Sequence, residues 1–388
     1  MTTRLQSTAA VRLRRAGTPA AAGWGSVLLL AAMLLGVPLA AWIYPGWAGT
    51  GKTELRDLAP GPQMPRTLRQ LKHWPETFDL YFNDHIPART ALIRAWSDVA
   101  HFAGISSSSE VVLGKNGWLF LRRNSDIVDR HRGLLVPTDR QLGLWVSNLA
   151  GVFTQIESAG GEPWFVVVPD KEGVYPEFLP SWTTPIGPTA TDLIMKALRE
   201  KGLPHILDLR RRLVDAKPQG QLYWKTDTHW NGLGESVAYF AILNEWWPHS
   251  ALRSEDEPKF IFRTQTFVCD LTRLLGGPAG MDESGPTLEI QMPRARAAPG
   301  YSLDYKSISE HGYRANAPGA RAGKLLAFGD SFFEGLCPAI QESFRETVVF
   351  HNSGLRISKR LLAQEKATIV LIIAVERDLP LDGPRLVE

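Results

Sequence analysis

The sequence predicts an α/β domain with a largely parallel sheet flanked by helices, and three observations predict it. Short apolar or β-branched runs at 163–168, 206–209, 325–328 and 369–375 have the length and composition of buried strands. Helical spacing alternates with them, at 138–160, 192–201 and from Ser236 onward, which is the pattern of a parallel sheet with crossover helices. The third is the segment 324–335, KLLAFGDSFFEG. There an apolar strand runs into Gly329-Asp330-Ser331 and then into a helix start. A glycine at that point permits a sharp turn, which lifts a serine hydroxyl to the sheet edge, beside the amides of the helix N-terminus.

Composition bounds the rest. With 44% hydrophobic and 21% charged residues, the chain is ordinary globular material rather than a disordered one. A net charge of +3 is too small to argue for a nucleic-acid partner. No zinc-ligand spacing and no phosphate-binding loop occurs, so neither a metal nor another cofactor is expected. Cys269 and Cys337 leave two options open, a pair in an oxidising compartment or two free thiols.

The N-terminus carries Arg4, Arg12, Arg14 and Arg15, followed by an uncharged stretch, 16–51. Within it, 24–44 has the length of a membrane helix, with Trp24 and Trp42-Ile43-Tyr44 as interface anchors. The expectation is a basic cytoplasmic tail at 1–23, a retained single-pass anchor at 24–44 and a linker at 45–70. The domain at 71–388 then lies outside the inner membrane. A cleaved signal peptide is the competing reading, but no clean small-x-small site follows the apolar run.

After the linker, Asp84 and Arg89 are spaced for an internal ion pair. Leu92, Ile93, Trp96 and Val99 have the spacing of one buried helix face across 90–102. The run 111–121, VVLGKNGWLFL, reads as a hairpin turning at Asn116-Gly117. The helix at 138–160 is closed by glycine. The strand at 163–168 ends in Pro169-Asp170-Lys171, with Tyr175 shortly after. Ligands of open α/β sheets sit at the carboxyl ends of strands, so Asp170, Lys171 and Tyr175 are candidates to line a cleft. A solvated loop with one packed tyrosine explains them equally well. Residues 281–298 read as an exposed loop with strand pieces.

The partner for the serine lies in 222–243, LYWKTDTHWNGLGESVAYFAIL. His229, in a polar loop, can take a serine proton, and Asp227 can bind the other ring nitrogen. Ser331, His229 and Asp227 thus supply every member of a nucleophilic triad. Trp224 and Trp230 flank the loop, as sugar-stacking surfaces or as core.

Gly-Asp-Ser after a strand, with Asp and His on one loop, resembles the SGNH hydrolase superfamily. Here the histidine block precedes the serine block, with one residue between Asp and His. That order resembles the circularly permuted SGNH hydrolase-like (flavodoxin-like) domain of the AlgJ/AlgX family of alginate O-acetyltransferases. Asn83-Asp84-His85 with Arg89, Gly117-Trp118-Leu119-Phe120, and Pro169-Asp170-Lys171 with Tyr175-Pro176-Glu177 also fit it. So do Thr226-Asp227-Thr228-His229-Trp230-Asn231, Asp270-Leu271, Gly329-Asp330-Ser331-Phe332 and Glu376-Arg377. The resemblance spans about residues 75 to 380.

The resemblance implies Ser331 as nucleophile, His229 as base and Asp227 as its orienter. Gly354, in the place of the superfamily's second-block glycine, is an oxyanion candidate. Where ordinary members carry Gly-x-Asn, this chain has Glu376-Arg377-Asp378, so Arg377 is either an oxyanion or sugar contact or a partner of Glu376. The implied activity is acetyl transfer through an acetyl-serine onto hydroxyls of an exopolysaccharide such as alginate, in the periplasm. The implied partners are a polysaccharide acceptor, other exopolysaccharide machinery, and a polytopic membrane acyltransferase of the MBOAT type that delivers acetyl. A carbohydrate acetylesterase and a non-catalytic subunit of a secretion complex are the alternatives. The chain stops soon after its last strand, which suits an AlgJ-like architecture without the C-terminal carbohydrate-binding module of the AlgX type.

Overall fold

The computed structural model describes residues 59–85, 89–123, 126–246, 258–299, 312–320, 322–352 and 354–388. The basic tail and the expected anchor at 24–44 lie outside them. Among the described residues no helix is long and apolar enough to cross a membrane.

Two compact units divide the chain after Ile93. The first holds helix α1 (Leu68–His85), which begins inside the stretch read as linker. Its Asp84 carboxylate accepts the Ala59 amide at 2.8 Å. Helix α2 (Arg89–Phe102) forms where the spacing placed it, but with the opposite face inward. Ser97 and Ala100 are buried, whereas Leu92, Trp96 and Val99 are exposed. The small face wins because the Ser97 hydroxyl donates to the Leu275 carbonyl, an approach a larger side chain would block.

The second unit opens with the hairpin β1 (Val111–Leu113) and β2 (Leu119–Leu121). It turns at Asn116 and Gly117, both at positive φ (56° and 77°), the conformation that Asn-Gly favours. Helices α3 (Asp126–His131) and α4 (Asp139–Ser158) follow. Thr138 and Gln141 form a reciprocal capping box at the start of α4, and Gly160, at φ +84°, lies just past its end. Then come β3 (Glu162–Val168), α5 (Lys171–Val174), α6 (Ala190–Glu200), β4 (Ile206–Asp208), α7 (Arg210–Ala216) and α8 (Gly232–Trp246).

Strands β5 (Lys259–Phe267) and β6 (Glu283–Gln291) pair as a nine-residue antiparallel ribbon, with α9 (Asp270–Leu274) in their connection. The stretch read as an exposed loop is therefore largely strand. The remaining elements are β7 (Arg296–Ala297), β8 (Tyr313–Asn316), β9 (Ala322–Gly329), α10 (Ser331–Ile340) and β10 (Phe344–His351). After them come β11 (Arg356–Ser358), α11 (Lys359–Glu365), β12 (Ile369–Val375) and β13 (Arg385–Val387).

The seven-stranded sheet runs β4-β3-β12-β9-β10-β8-β7. The five strands from β4 to β10 in that order are parallel; β8 and β7 continue the other edge through antiparallel pairings. Alternate residues of β3 feed opposite layers, as the two-residue period of a strand requires. Trp164, Val166 and Val168 pack with α8 and α10 on one side. Phe165 and Val167 meet α4 and α6 on the other. Register then fixes the working edge: Val375 pairs Val168, Ile373 pairs Gly329, and Gly329 pairs His351. The carboxyl ends of four neighbouring strands thus open onto Asp170, Glu376, Ser331 and Asn352.

Candidate active site

Ser331 is the first residue of α10, two residues past the end of β9, with Asp330 between them. Gly329 is needed at the turn because a Cβ there would stand 2.5 Å from Phe333 Cβ. Asp330 ties the turn to the sheet. Its Oδ1 accepts the Phe332 amide at 3.0 Å and its Oδ2 the Val375 amide at 2.6 Å. Burial raises the Asp330 carboxyl and these two amides offset that in part. The Phe333 amide donates to the Asp330 carbonyl. Two amides of the helix start, expected to be available to an oxyanion, are therefore already used.

His229 comes from the other end of the fold and meets the serine: Nε2 lies 2.9 Å from Ser331 Oγ. Its Nδ1 lies 2.7 Å from Asp227 Oδ1. The His229 side chain stays about one-third exposed, so solvent and substrate can reach the pair. Burial alone would raise the Asp227 carboxyl. The hydrogen bond and charge of His229, with the Asp270 and His229 amides, more than reverse that and hold it at about 2.

The loop carrying Asp227 and His229 is clamped from both sides. Lys171, buried at 2% exposure, donates all three ammonium protons to backbone carbonyls: Trp224 at 3.0 Å, Lys225 at 2.8 Å and Asp227 at 2.7 Å. The rings of Trp118 and Phe120 lie 5.6 and 5.2 Å from its Nζ, and burial lowers its pKa from the ordinary range. Glu283, at the start of β6, takes the loop's donors: the Lys225 amide at 2.9 Å and the Thr226 amide and hydroxyl at 2.8 Å each. Leu119 of β2 adds an amide to the Lys225 carbonyl. Across the loop's base, Tyr223 bridges Trp230, and the Asn231 amide donates to the Leu222 carbonyl.

Several residues expected to face a ligand are thus part of the frame. Lys171 holds the loop rather than lining a cleft. Tyr175 is buried, and its hydroxyl accepts the Leu222 amide at 2.9 Å. Trp230 is 2% exposed and packs edge-on against Phe332, and Trp224 packs edge-on against Phe267. Neither offers a face to a sugar. Arg377 pairs with Asp170 instead of Glu376, and its guanidinium lies 5.0 Å from the Phe332 ring. Glu376 takes the Asp170 amide and Arg210, each at 2.8 Å. Gly354 lies at φ +87° with open space where a Cβ would stand. Cys269 and Cys337 are buried and form no disulfide.

Asn352 was legible only as a neighbour of Gly354. Its amide donates to the Gly329 carbonyl at 2.8 Å, which sets it beside the serine turn, and its buried Nδ2 has no hydrogen-bond partner. Glu283 carried no signal at all. The metal-binding atoms of Asp227, His229 and Asp270 lie within 4.8 Å of one another. Each carboxylate oxygen there already accepts an N–H or O–H, so the group is a hydrogen-bonded relay.

A serine at the end of a central parallel strand, held by histidine and aspartate from one loop, defines an SGNH hydrolase-like α/β domain. Residues 111–299 match the family described as SGNH hydrolase-like domain, acetyltransferase AlgX. Over that segment, just under half of its length, the chain is similar to the AlgJ/AlgX family. The matched segment contains Asp227 and His229 and ends before Ser331, which the fold brings to them. The chain is similar to probable alginate O-acetylase AlgJ of Pseudomonas syringae pv. tomato, 28% identical over 167 residues, 42% of this chain and 40% of that one. It is also similar to that of Pseudomonas putida, 29% identical over 173 residues and 42% of each chain. The matches span about two-fifths of the length of these curated relatives. Among solved structures, the O-acetyltransferase domain of Pseudomonas putida AlgJ is 21% identical at a TM-score of 0.44, covering 69% of this chain and 91% of that one.

Proposed function

We propose that this chain is a polysaccharide O-acetyltransferase that carries acetyl on Ser331 and passes it to a hydroxyl of an exopolysaccharide such as alginate. The observation that carries this reading is the continuous relay of 2.9 Å from Ser331 Oγ to His229 Nε2 and 2.7 Å from Nδ1 to Asp227. Ser331 Oγ attacks the acetyl carbonyl of the donor while Nε2 takes its proton. The tetrahedral intermediate collapses, Nε2 returns the proton to the leaving group, and acetyl-serine remains. A sugar hydroxyl then gives its proton to Nε2 and attacks the acetyl carbonyl; the ester bond to Ser331 breaks and Nε2 returns the proton to Oγ. Asp227, ionised down to about pH 2, stabilises the imidazolium in both halves. The unpartnered Asn352 Nδ2 and the Gly354 amide are the donors best suited to the oxyanion.

The sequence supports a single-pass inner-membrane anchor with the domain in the periplasm. A polytopic membrane acyltransferase then supplies acetyl, and the exopolysaccharide machinery supplies the acceptor. The test is intact mass after exposure to 4-nitrophenyl acetate, for wild type and Ser331→Ala, followed by an alginate oligosaccharide. The expected result is an acetyl adduct on wild type alone that moves to the sugar. Release to water at the same rate with and without sugar would make the protein an esterase. No adduct on a folded wild type would remove catalysis altogether.

A further inference from the structure

Asp270 opens α9, in the connection between β5 and β6, about forty residues beyond the loop it touches. Its amide donates to Asp227 Oδ2 at 2.8 Å, the oxygen that His229 leaves free. Its own carboxylate accepts the Thr228 amide on Oδ1 at 2.8 Å and the Thr228 hydroxyl on Oδ2 at 2.5 Å. That Oδ2 stands 3.8 Å from His229 Nδ1, and the Thr228 hydroxyl oxygen lies 3.2 Å from the same nitrogen. One imidazole edge therefore faces two carboxylates, one bonded and one behind a hydroxyl.

Two half-buried carboxylates this close repel each other, and desolvation and Asp227 together raise the Asp270 carboxyl. The arrangement is favourable when a positive charge forms between them, as it does when Nε2 takes the serine proton. Capping α9 would not require it, because Asp270 is a helix residue and the N-cap position belongs to Cys269. The other titratable groups that sense Asp270 are Lys171 of α5 and the Cys269 thiol, both also acted on by Glu283 of β6.

We propose that Asp270 is a second positioning carboxylate of this relay. It locks Asp227 and Thr228, keeps the His229 proton on Nδ1, and adds negative charge behind the imidazolium. This rests on the acyl-transfer reading of Ser331.

The test uses the full chain with Asp270→Asn, which keeps the shape and removes the charge, and Thr228→Val, which removes the bridging hydroxyl. With 4-nitrophenyl acetate, Asp270→Asn is expected to lower kcat roughly 10- to 100-fold with KM changed less than about twofold. Nitrogen-15 spectra of the His229 ring are expected to lose their Nδ1–H preference in Asp270→Asn and to weaken it in Thr228→Val. Asp270→Asn with kcat within about twofold of wild type and unchanged ring signals would overturn the proposal. If wild type forms no acetyl-enzyme, the transferase reading falls, and the ring tautomer in Asp270→Asn still decides the role of Asp270.

Discussion

Lys171 shows how a charged residue beside a reactive site can belong to the frame. Its three protons satisfy three carbonyls of a loop that has no regular partner strand, and Glu283 does the same for that loop's amides. Replacing Lys171 with Met keeps the volume and takes a donor from all three carbonyls, of which Lys225 keeps the Leu119 amide. The expected cost is about 2–4 kcal/mol in stability, with acylation slowed by at least about tenfold. Thermal melting and the burst rate with an activated acetyl ester read the two effects. Normal stability with a raised KM alone would restore Lys171 to substrate contact. From sequence, Lys171 looked like a cleft residue because it follows a strand end; only the distant carbonyls show its task.

At the scale of elements, α8 and α10 pack through Gly335, where a Cβ would come within 2.2 Å of Glu235 Oε1. This carboxyl lies between two helices, and desolvation raises it to about 8 from an ordinary 4.5. The folded protein therefore keeps a proton on Glu235 that the unfolded chain releases above about pH 4.5. Its stabilising contribution is complete below that pH and is lost as pH rises through about 8. Glu235→Gln is expected to match wild type in Tm at pH 4 and to exceed it by a few degrees at pH 9. Equal Tm values at both pH values would show that Glu235 is not held neutral. The elements themselves were largely legible. Strands buried on both faces leave continuous apolar runs, and the hairpin announced itself through Asn116-Gly117. The β5–β6 ribbon did not, because much of it is exposed and its sequence, KFIFRTQTF against ESGPTLEIQ, has no continuous apolar run. Of the two site-organising residues in or beside that ribbon's connection, Asp270 showed only as part of the Asp270-Leu271 resemblance, without a role, and Glu283 was hidden with the ribbon.

For the whole molecule, the working edge is assembled from strands whose order in space is not their order in sequence. Ser331 and His229 could be paired from the sequence because Gly-Asp-Ser after a strand and Asp-x-His on a loop occur together, although either alone also suits an ordinary turn. Their surroundings could not, since Trp230, Tyr175 and Arg377 have residue types that suit a sugar as well as a core. The uncharged stretch at 24–44 predicts that the full chain stays with the membrane pellet after an alkaline carbonate wash and leaves it only with detergent. Release by carbonate would sink the anchor.

The Asp330 side chain reaches from the serine turn to the Val375 amide at the end of β12. His229 and Ser331 are themselves 102 residues apart along the chain. A chain still emerging from synthesis thus has His229 well before Ser331, and Ser331 well before the strand that holds its turn in place. Chemistry waits for completion. The turn that presents the Ser331 hydroxyl gains its anchor only when residues 369–375 have taken their place in the sheet, so completion of the fold is also completion of the site.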